Sequence, residues 1–139
     1  MLIEKIEEYY IKRNLNCAET MLSAANDVYQ LGLDKNALKM AAGFGGGMYV
    51  GSTCGALAGG IMVIGRLFVE DNAHGSPKLK GLVREFLQRY HEKMGEVNCA
   101  NLKAKYYKGE VRCLDVVKEA GIILDEIIRR ELNSTKGTE

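Results

Sequence analysis

The sequence predicts an all-α fold: a compact bundle of five to seven helices in which a glycine-rich loop leads into a central helix. Apolar residues recur at the three- and four-residue spacing of helices through most of the 139 residues. No segment shows the alternation of a β-strand over a useful length, and the single proline falls at the junction of a predicted loop and a helix. The contents of 47% hydrophobic and 27% charged residues are typical of a folded globular domain.

Three helices are predicted in the amino-terminal part of the chain. The apolar stripe of the first helix consists of Leu2, Ile3, Ile6, Tyr9 and Tyr10. Asn16 precedes the second helix and Glu19 follows three residues later, which is an asparagine version of the capping box. The stripe of this helix ends near Gly32, and Asp34 then caps a short helix that is predicted to continue through Ala42.

A glycine-rich segment leads into the central helix, which is predicted from about Thr53 to about Glu70. Glycines recur at every fourth position, at Gly43, Gly47, Gly51, Gly55 and Gly59. On a helix this spacing lets another backbone approach closely, and before the helix it suits a loop. Met40–Gly65 carries no charge over 26 residues, but its nine glycines make it only weakly hydrophobic. We therefore expect a buried loop and helix, and no membrane insertion.

Three further helices are predicted after this segment. Ser76 and Pro77 stand at the N-cap and the first position of a long helix, where the missing N–H of proline costs little. The stripe of this helix consists of Leu79, Leu82, Val83, Phe86, Tyr90 and Met94. Asn98 caps a short helix that ends before Gly109, and the last helix begins near Cys113. Its stripe consists of Val116, Val117, Ala120, Ile123, Leu124 and Ile127.

These elements predict a single domain over residues 1–132, followed by a frayed polar tail over residues 133–139. The formal charge of +1 offers no broad attraction for nucleic acid or anionic lipid. The first residues lack the basic and apolar regions of a secretory signal, which predicts a cytoplasmic location. In that reducing compartment, cysteines are expected to be metal ligands or catalytic thiols rather than structural disulfides.

The four cysteines share a position in or near the first turn of a predicted helix: Cys17, Cys54, Cys99 and Cys113. Each also continues the apolar stripe of its helix, so that four helix starts would direct four sulfurs to one place. The helix dipole and the unpaired N–H groups at a helix start are expected to lower the pKa of such thiols. The alternative interpretation is that each cysteine packs as a small buried hydrophobic residue.

The segment Cys54-Gly55-Ala56-Leu57-Ala58-Gly59 resembles the central motif of the C_GCAxxG_C_C family, whose bacterial and archaeal members are regarded as redox-active. The family name writes Gly-Cys-Ala-x-x-Gly, whereas here the cysteine precedes the glycine. Cys17, Cys99 and Cys113 fit the other three cysteine positions in order, and the resemblance covers nearly the whole chain. The resemblance implies a helical domain with a redox or metal centre, of which an iron–sulfur cluster is one form.

Three hypotheses for the function stay open. In the first, the four cysteines ligate an iron–sulfur cluster or another metal, because four thiolates in a small volume repel one another unless a cation holds them. The glycines expected to border this cofactor are Gly51, Gly55 and Gly59. In the second, two of the cysteines act catalytically by cycling between thiol and disulfide without any cofactor. In the third, the chain is a non-catalytic helical module that forms a homodimer through its glycine face. The first two hypotheses require a redox partner, which the sequence does not identify.

Overall fold

The computed structural model describes the backbone of residues 1–137 and the side chains of residues 1–134. Within that part of the chain the fold consists of helices and two isolated β-bridges, which confirms the all-α prediction. The seven α-helices are α1 (Leu2–Glu7), α2 (Cys17–Tyr29), α3 (Lys35–Lys39), α4 (Gly55–Phe68), α5 (Pro77–Met94), α6 (Cys99–Tyr106) and α7 (Leu114–Gly137). Helix α1 continues directly into a π-helical turn, Glu8–Lys12.

Three helices begin where the sequence predicts. The Asn16 side chain accepts a hydrogen bond from the Glu19 N–H at 2.9 Å, and the Glu19 carboxylate accepts one from the Asn16 N–H at 3.0 Å. These two bonds form the predicted capping box of α2. Asp34 caps α3 by accepting from the Ala37 N–H at 2.8 Å. Pro77 is the first residue of α5.

Three helix ends differ from the prediction. Helix α3 ends at Lys39, and a 3₁₀ turn follows over Ala42–Phe44. Helix α4 begins at Gly55, two residues after the predicted start. Helix α7 continues to Gly137, so residues 133–137 of the predicted polar tail are helical, and residues 138 and 139 lie outside the described residues.

Helix α4 is the central helix, with α2, α5 and α7 packed around it. The contact with α2 is close because α4 presents glycine there: a Cβ atom built on Gly59 would lie 2.8 Å from the carbonyl oxygen of Ala18. This packing brings the start of α2 against the first turns of α4. Along the part of the chain with described structure, no helix is both long and apolar enough to cross a membrane.

Candidate functional site

Each of the four cysteines stands at the start of a different helix, as the sequence predicts. Cys17 and Cys99 are the first residues of α2 and α6, and Cys54 and Cys113 immediately precede α4 and α7. Cys54 is 2% exposed and Cys113 is 8% exposed, whereas Cys17 and Cys99 are partly exposed. All four are free thiols.

A short antiparallel bridge joins the segments that lead into α4 and α6. The Cys54 N–H donates to the Val97 carbonyl at 2.8 Å, and the Cys99 N–H donates to the Ser52 carbonyl at 2.6 Å. In this pattern the two cysteines lie on the same face of the paired segments, since side chains alternate along each segment. They are diagonal neighbours, with an expected separation of about 7 to 8 Å between their Cα atoms.

A left-handed turn borders two of the cysteines. Four consecutive residues, Gly46–Tyr49, have φ values of 59°, 62°, 59° and 58°, and the last two are not glycines. The backbone N–H of Gly46 favours the thiolate form of Cys17. A Cβ atom built on Gly47 would lie 2.8 Å from the Cβ of Cys99. The backbone of this turn therefore lies beside both partly exposed cysteines, and at Gly47 only glycine leaves enough room.

Electrostatic interactions with Cys17 and Cys99 link all four thiols, although they are drawn from positions 17 to 113. Cys17 interacts with Cys99, and Cys54 interacts with both of them. Cys113 also interacts with Cys17 and Cys99. Tertiary packing has therefore collected the four cysteines into one region, which we call the cysteine site.

Burial raises the pKa of three of these thiols. It raises the pKa of Cys54 to about 12 and that of Cys113 to about 11, with repulsion from Cys17 as the next cause in both cases. Burial is also the main cause of the raised pKa of Cys17. The backbone N–H groups of Ala56 and Leu57 lower the pKa of Cys54, but by less than burial raises it. The prediction of lowered pKa values is therefore wrong for these three thiols, because a helix start does not replace the hydration that a buried thiolate loses.

The cysteine site offers sulfur ligands suited to a metal centre, but its side chains are not placed closely enough to hold a metal ion. Thiolates are the ligands that zinc, copper(I) and iron–sulfur clusters prefer. Among the residues with described side chains, no group of three or more His, Cys, Asp or Glu is placed so that it could hold a metal ion. Ligation by the four cysteines would therefore require their sulfurs to move closer together.

The three glycines predicted to border a cofactor make packing contacts beside the cysteines. A Cβ atom built on Gly51 would lie 3.1 Å from the Cβ of Ala100. One built on Gly55 would lie 2.8 Å from the carbonyl oxygen of Phe44, and Gly59 lies similarly close to Ala18 in α2. These contacts explain why glycine is needed at each position, and a role toward a cofactor stays a prediction.

Two residues that sequence reasoning missed also border the cysteine site. Tyr10 is 3% exposed, and its hydroxyl accepts a hydrogen bond from the Cys113 N–H at 3.1 Å. The guanidinium of Arg112 lies 4.1 Å from the centre of the Tyr10 ring. In the sequence Tyr10 is one member of the apolar stripe of α1, and nothing near it indicates a contact with residues 112 and 113.

Comparison with protein families gives a match over most of the chain. The family model described as "Putative redox-active protein (C_GCAxxG_C_C)" matches residues 15–127, a range that contains all four cysteines. Searches of curated proteins and of solved structures found no match.

Proposed function

The chain belongs to the C_GCAxxG_C_C family, and from this premise we propose that its cysteine site is a redox centre that holds an iron–sulfur cluster or another thiolate-bound metal. The observation that carries the proposal is the convergence of four thiols from four helix starts. A disulfide needs two cysteines, whereas four thiolates match the usual ligand number of iron–sulfur clusters and of structural zinc.

The raised pKa values also favour a metal over free thiol chemistry at Cys54 and Cys113. A thiol must ionise before it attacks a disulfide, and values of about 12 and 11 leave very little thiolate at neutral pH. A metal cation displaces the protons from its cysteine ligands and offsets both their mutual repulsion and the cost of burying their charge. Metal binding should therefore release protons.

In this proposal each part of the site has a distinct role. The four cysteines supply the sulfur ligands, and the backbone N–H groups of Gly46, Ala56 and Leu57 favour the thiolate forms of Cys17 and Cys54. Backbone N–H groups in such positions stabilise negative charge on sulfur and so influence the potential of a centre. A bound iron–sulfur cluster would supply one-electron transfer, with an unidentified redox partner in the reducing cytoplasm.

The test is metal and acid-labile sulfide analysis of protein purified without oxygen, together with its visible spectrum. We expect the wild-type chain to carry a metal and Cys54→Ser to lose most of it, because a serine hydroxyl is a much poorer ligand for a soft metal. His91→Ala is the control, because histidine is a common metal ligand but His91 is exposed and lies outside the site. A wild-type metal content no higher than that of Cys54→Ser would refute the proposal.

One observation favours a second candidate, a dithiol–disulfide centre formed by Cys17 and Cys99. These two cysteines are the partly exposed ones, and after burial the neighbouring thiol of Cys99 is the largest cause of the raised pKa of Cys17. Forming a disulfide would release two protons and two electrons, which a disulfide of the redox partner would accept as it is reduced. Peptide mapping after equilibration with oxidised glutathione tests this candidate. A Cys17–Cys99 peptide in metal-free wild-type protein supports it, and its absence refutes it.

A further inference from the structure

A groove on the surface is lined by residues of the π-helical turn after α1, of α2 and of α3, and we call it the basic groove. Its volume is about 370 Å³, which is within the range of about 300 to 1,000 Å³ that small-molecule sites occupy. Tyr9, Leu15 and Leu38 form its apolar part. The groove therefore has room for a small organic molecule and a surface on which an apolar group can pack.

Three basic side chains line the same groove: Arg13, Lys35 and Lys39. Lys35 and Lys39 are the first and last residues of α3 and stand four positions apart, so they lie on one face of the helix and repel each other. Both are exposed, and neither forms an ion pair with any residue whose side chain is described. An anion placed between them would offset this repulsion.

Of the described residues that line the groove, Glu19 is the one acid, and it is already engaged. Its carboxylate accepts the Asn16 N–H at 3.0 Å as part of the α2 cap. Arg13 forms an exposed ion pair with Glu8 at 3.3 Å, and its guanidinium lies 4.7 Å from the centre of the Tyr9 ring. An exposed pair contributes little, so a bound anion can compete for Arg13. The groove therefore carries an excess of positive charge.

A hydroxyl group at the side of α2 adds a hydrogen-bonding position. Ser23 lines the groove although only 6% of its surface is exposed. Within the described part of the chain its hydroxyl forms no hydrogen bond, and its oxygen is not fully enclosed by protein atoms. The hydrogen-bonding capacity of this hydroxyl is therefore available to a molecule that occupies the groove.

We propose that the basic groove binds a small organic dianion, a phosphate monoester whose apolar or aromatic group packs on the apolar part of the groove. Lys35 and Lys39 hold the phosphate, and the Ser23 hydroxyl donates a hydrogen bond to it. Two ammonium groups match the nearly double negative charge of a phosphate monoester at neutral pH, whereas a single carboxylate would leave one of them unneutralised. The inference goes beyond the proposed function, because the groove contains none of the four cysteines and binding requires no redox centre.

The test is a titration of the full-length protein with phenyl phosphate, inorganic phosphate and phenol, followed by the backbone amide shifts in two-dimensional NMR spectra. We expect phenyl phosphate to shift the amides of residues that line the groove. It should bind about tenfold more tightly than inorganic phosphate or phenol, because each of these offers only one half of the interaction. Shifts confined to residues outside the groove, no binding, or equal affinity for inorganic phosphate overturns the inference.

A pair of double variants separates a specific site from a general effect of charge. We expect Lys35→Gln with Lys39→Gln to weaken the binding of phenyl phosphate about tenfold. The matched control is Lys80→Gln with Arg84→Gln, which removes two exposed basic residues at the same spacing from α5 and should leave the affinity unchanged. An unchanged affinity in the first double variant, or an equal loss in the control, overturns the inference.

Ser23→Ala tests the hydrogen bond without removing charge. Alanine is a good helix former and fits wherever serine fits, so α2 should be retained. We expect this variant to bind phenyl phosphate about fivefold more weakly than the wild type. An affinity equal to that of the wild type overturns the inference. Because none of these variants alters a cysteine, their outcome is independent of whether the proposed redox centre exists.

Discussion

Replacing Gly59 by alanine tests whether the close contact of α4 with α2 is as tight as the structure describes. The new Cβ would lie 2.8 Å from the carbonyl oxygen of Ala18, 3.3 Å from its Cα and 3.0 Å from the Cβ of Met21. Alanine is the better helix former by about 1 kcal/mol, whereas overpacking costs about 1 to 3 kcal/mol. Two of the three contacted atoms are backbone atoms that cannot rotate away. We therefore expect Gly59→Ala to lose up to about 2 kcal/mol of unfolding free energy net.

Gly65→Ala is the matched control in the same helix. A Cβ atom built on Gly65 meets nothing within 4 Å, so only the helix-propensity gain applies there. Urea unfolding of the two variants should therefore give changes of opposite sign, with Gly65→Ala gaining up to about 1 kcal/mol. If Gly59→Ala is as stable as the wild type or more stable, α2 does not approach α4 in the described way. The packing that brings Cys17 towards Cys54 would then be wrong.

Three further outcomes can be measured on the same protein. In the metal-free chain, the contribution of Cys54 and Cys113 to stability should be complete below about pH 8 and be lost as the pH rises towards 12. The reason is that folding raises the pKa of Cys54 to about 12 and that of Cys113 to about 11 from about 8.5 in the unfolded chain. Urea unfolding as a function of pH checks this, and Cys54→Ser should show a smaller loss. Gly47→Ala should reduce the absorbance of the redox centre, because alanine would have to adopt a φ of +62° and its Cβ would crowd Cys99. The control Gly43→Ala should keep that absorbance, because a Cβ at Gly43 meets open space. Asn16→Ala should cost about 1 kcal/mol in urea unfolding through loss of the α2 cap.

The helix starts could be predicted from the sequence because their signals are local. Asn16 with Glu19, Asp34 and Pro77 each mark a first turn within a few residues of the chain, and the structure has helices at these places. Of the four cysteines, only Cys17 stands at a helix start that one of these signals marks, the capping box of Asn16 and Glu19. That the four cysteines lie near one another could be predicted only by assuming that the apolar faces of their helices pack together. The assumption came from the apolar stripes, which each cysteine continues.

The parts of the site that could not be predicted depend on contacts distant in sequence. The hydrogen bond between Tyr10 and Cys113 joins residues 103 positions apart, and neither end carries a local signal for it. Nor does a local signal predict the left-handed turn, because Met48 and Tyr49 are residue types that seldom adopt positive φ. The direction of the pKa shifts was missed because local sequence indicates a helix start but does not give the depth of burial.

An anaerobic redox titration of the wild-type protein and its four single Cys→Ser variants tests most directly whether the four cysteines work as one centre. The visible spectrum of each protein is followed while the ambient potential is changed in both directions. We expect one reversible couple in the wild type, and its loss in each of the variants at Cys17, Cys54, Cys99 and Cys113. A wild-type protein without a reversible couple, or a couple that survives the loss of any one of these cysteines unchanged, would contradict a shared four-cysteine redox centre.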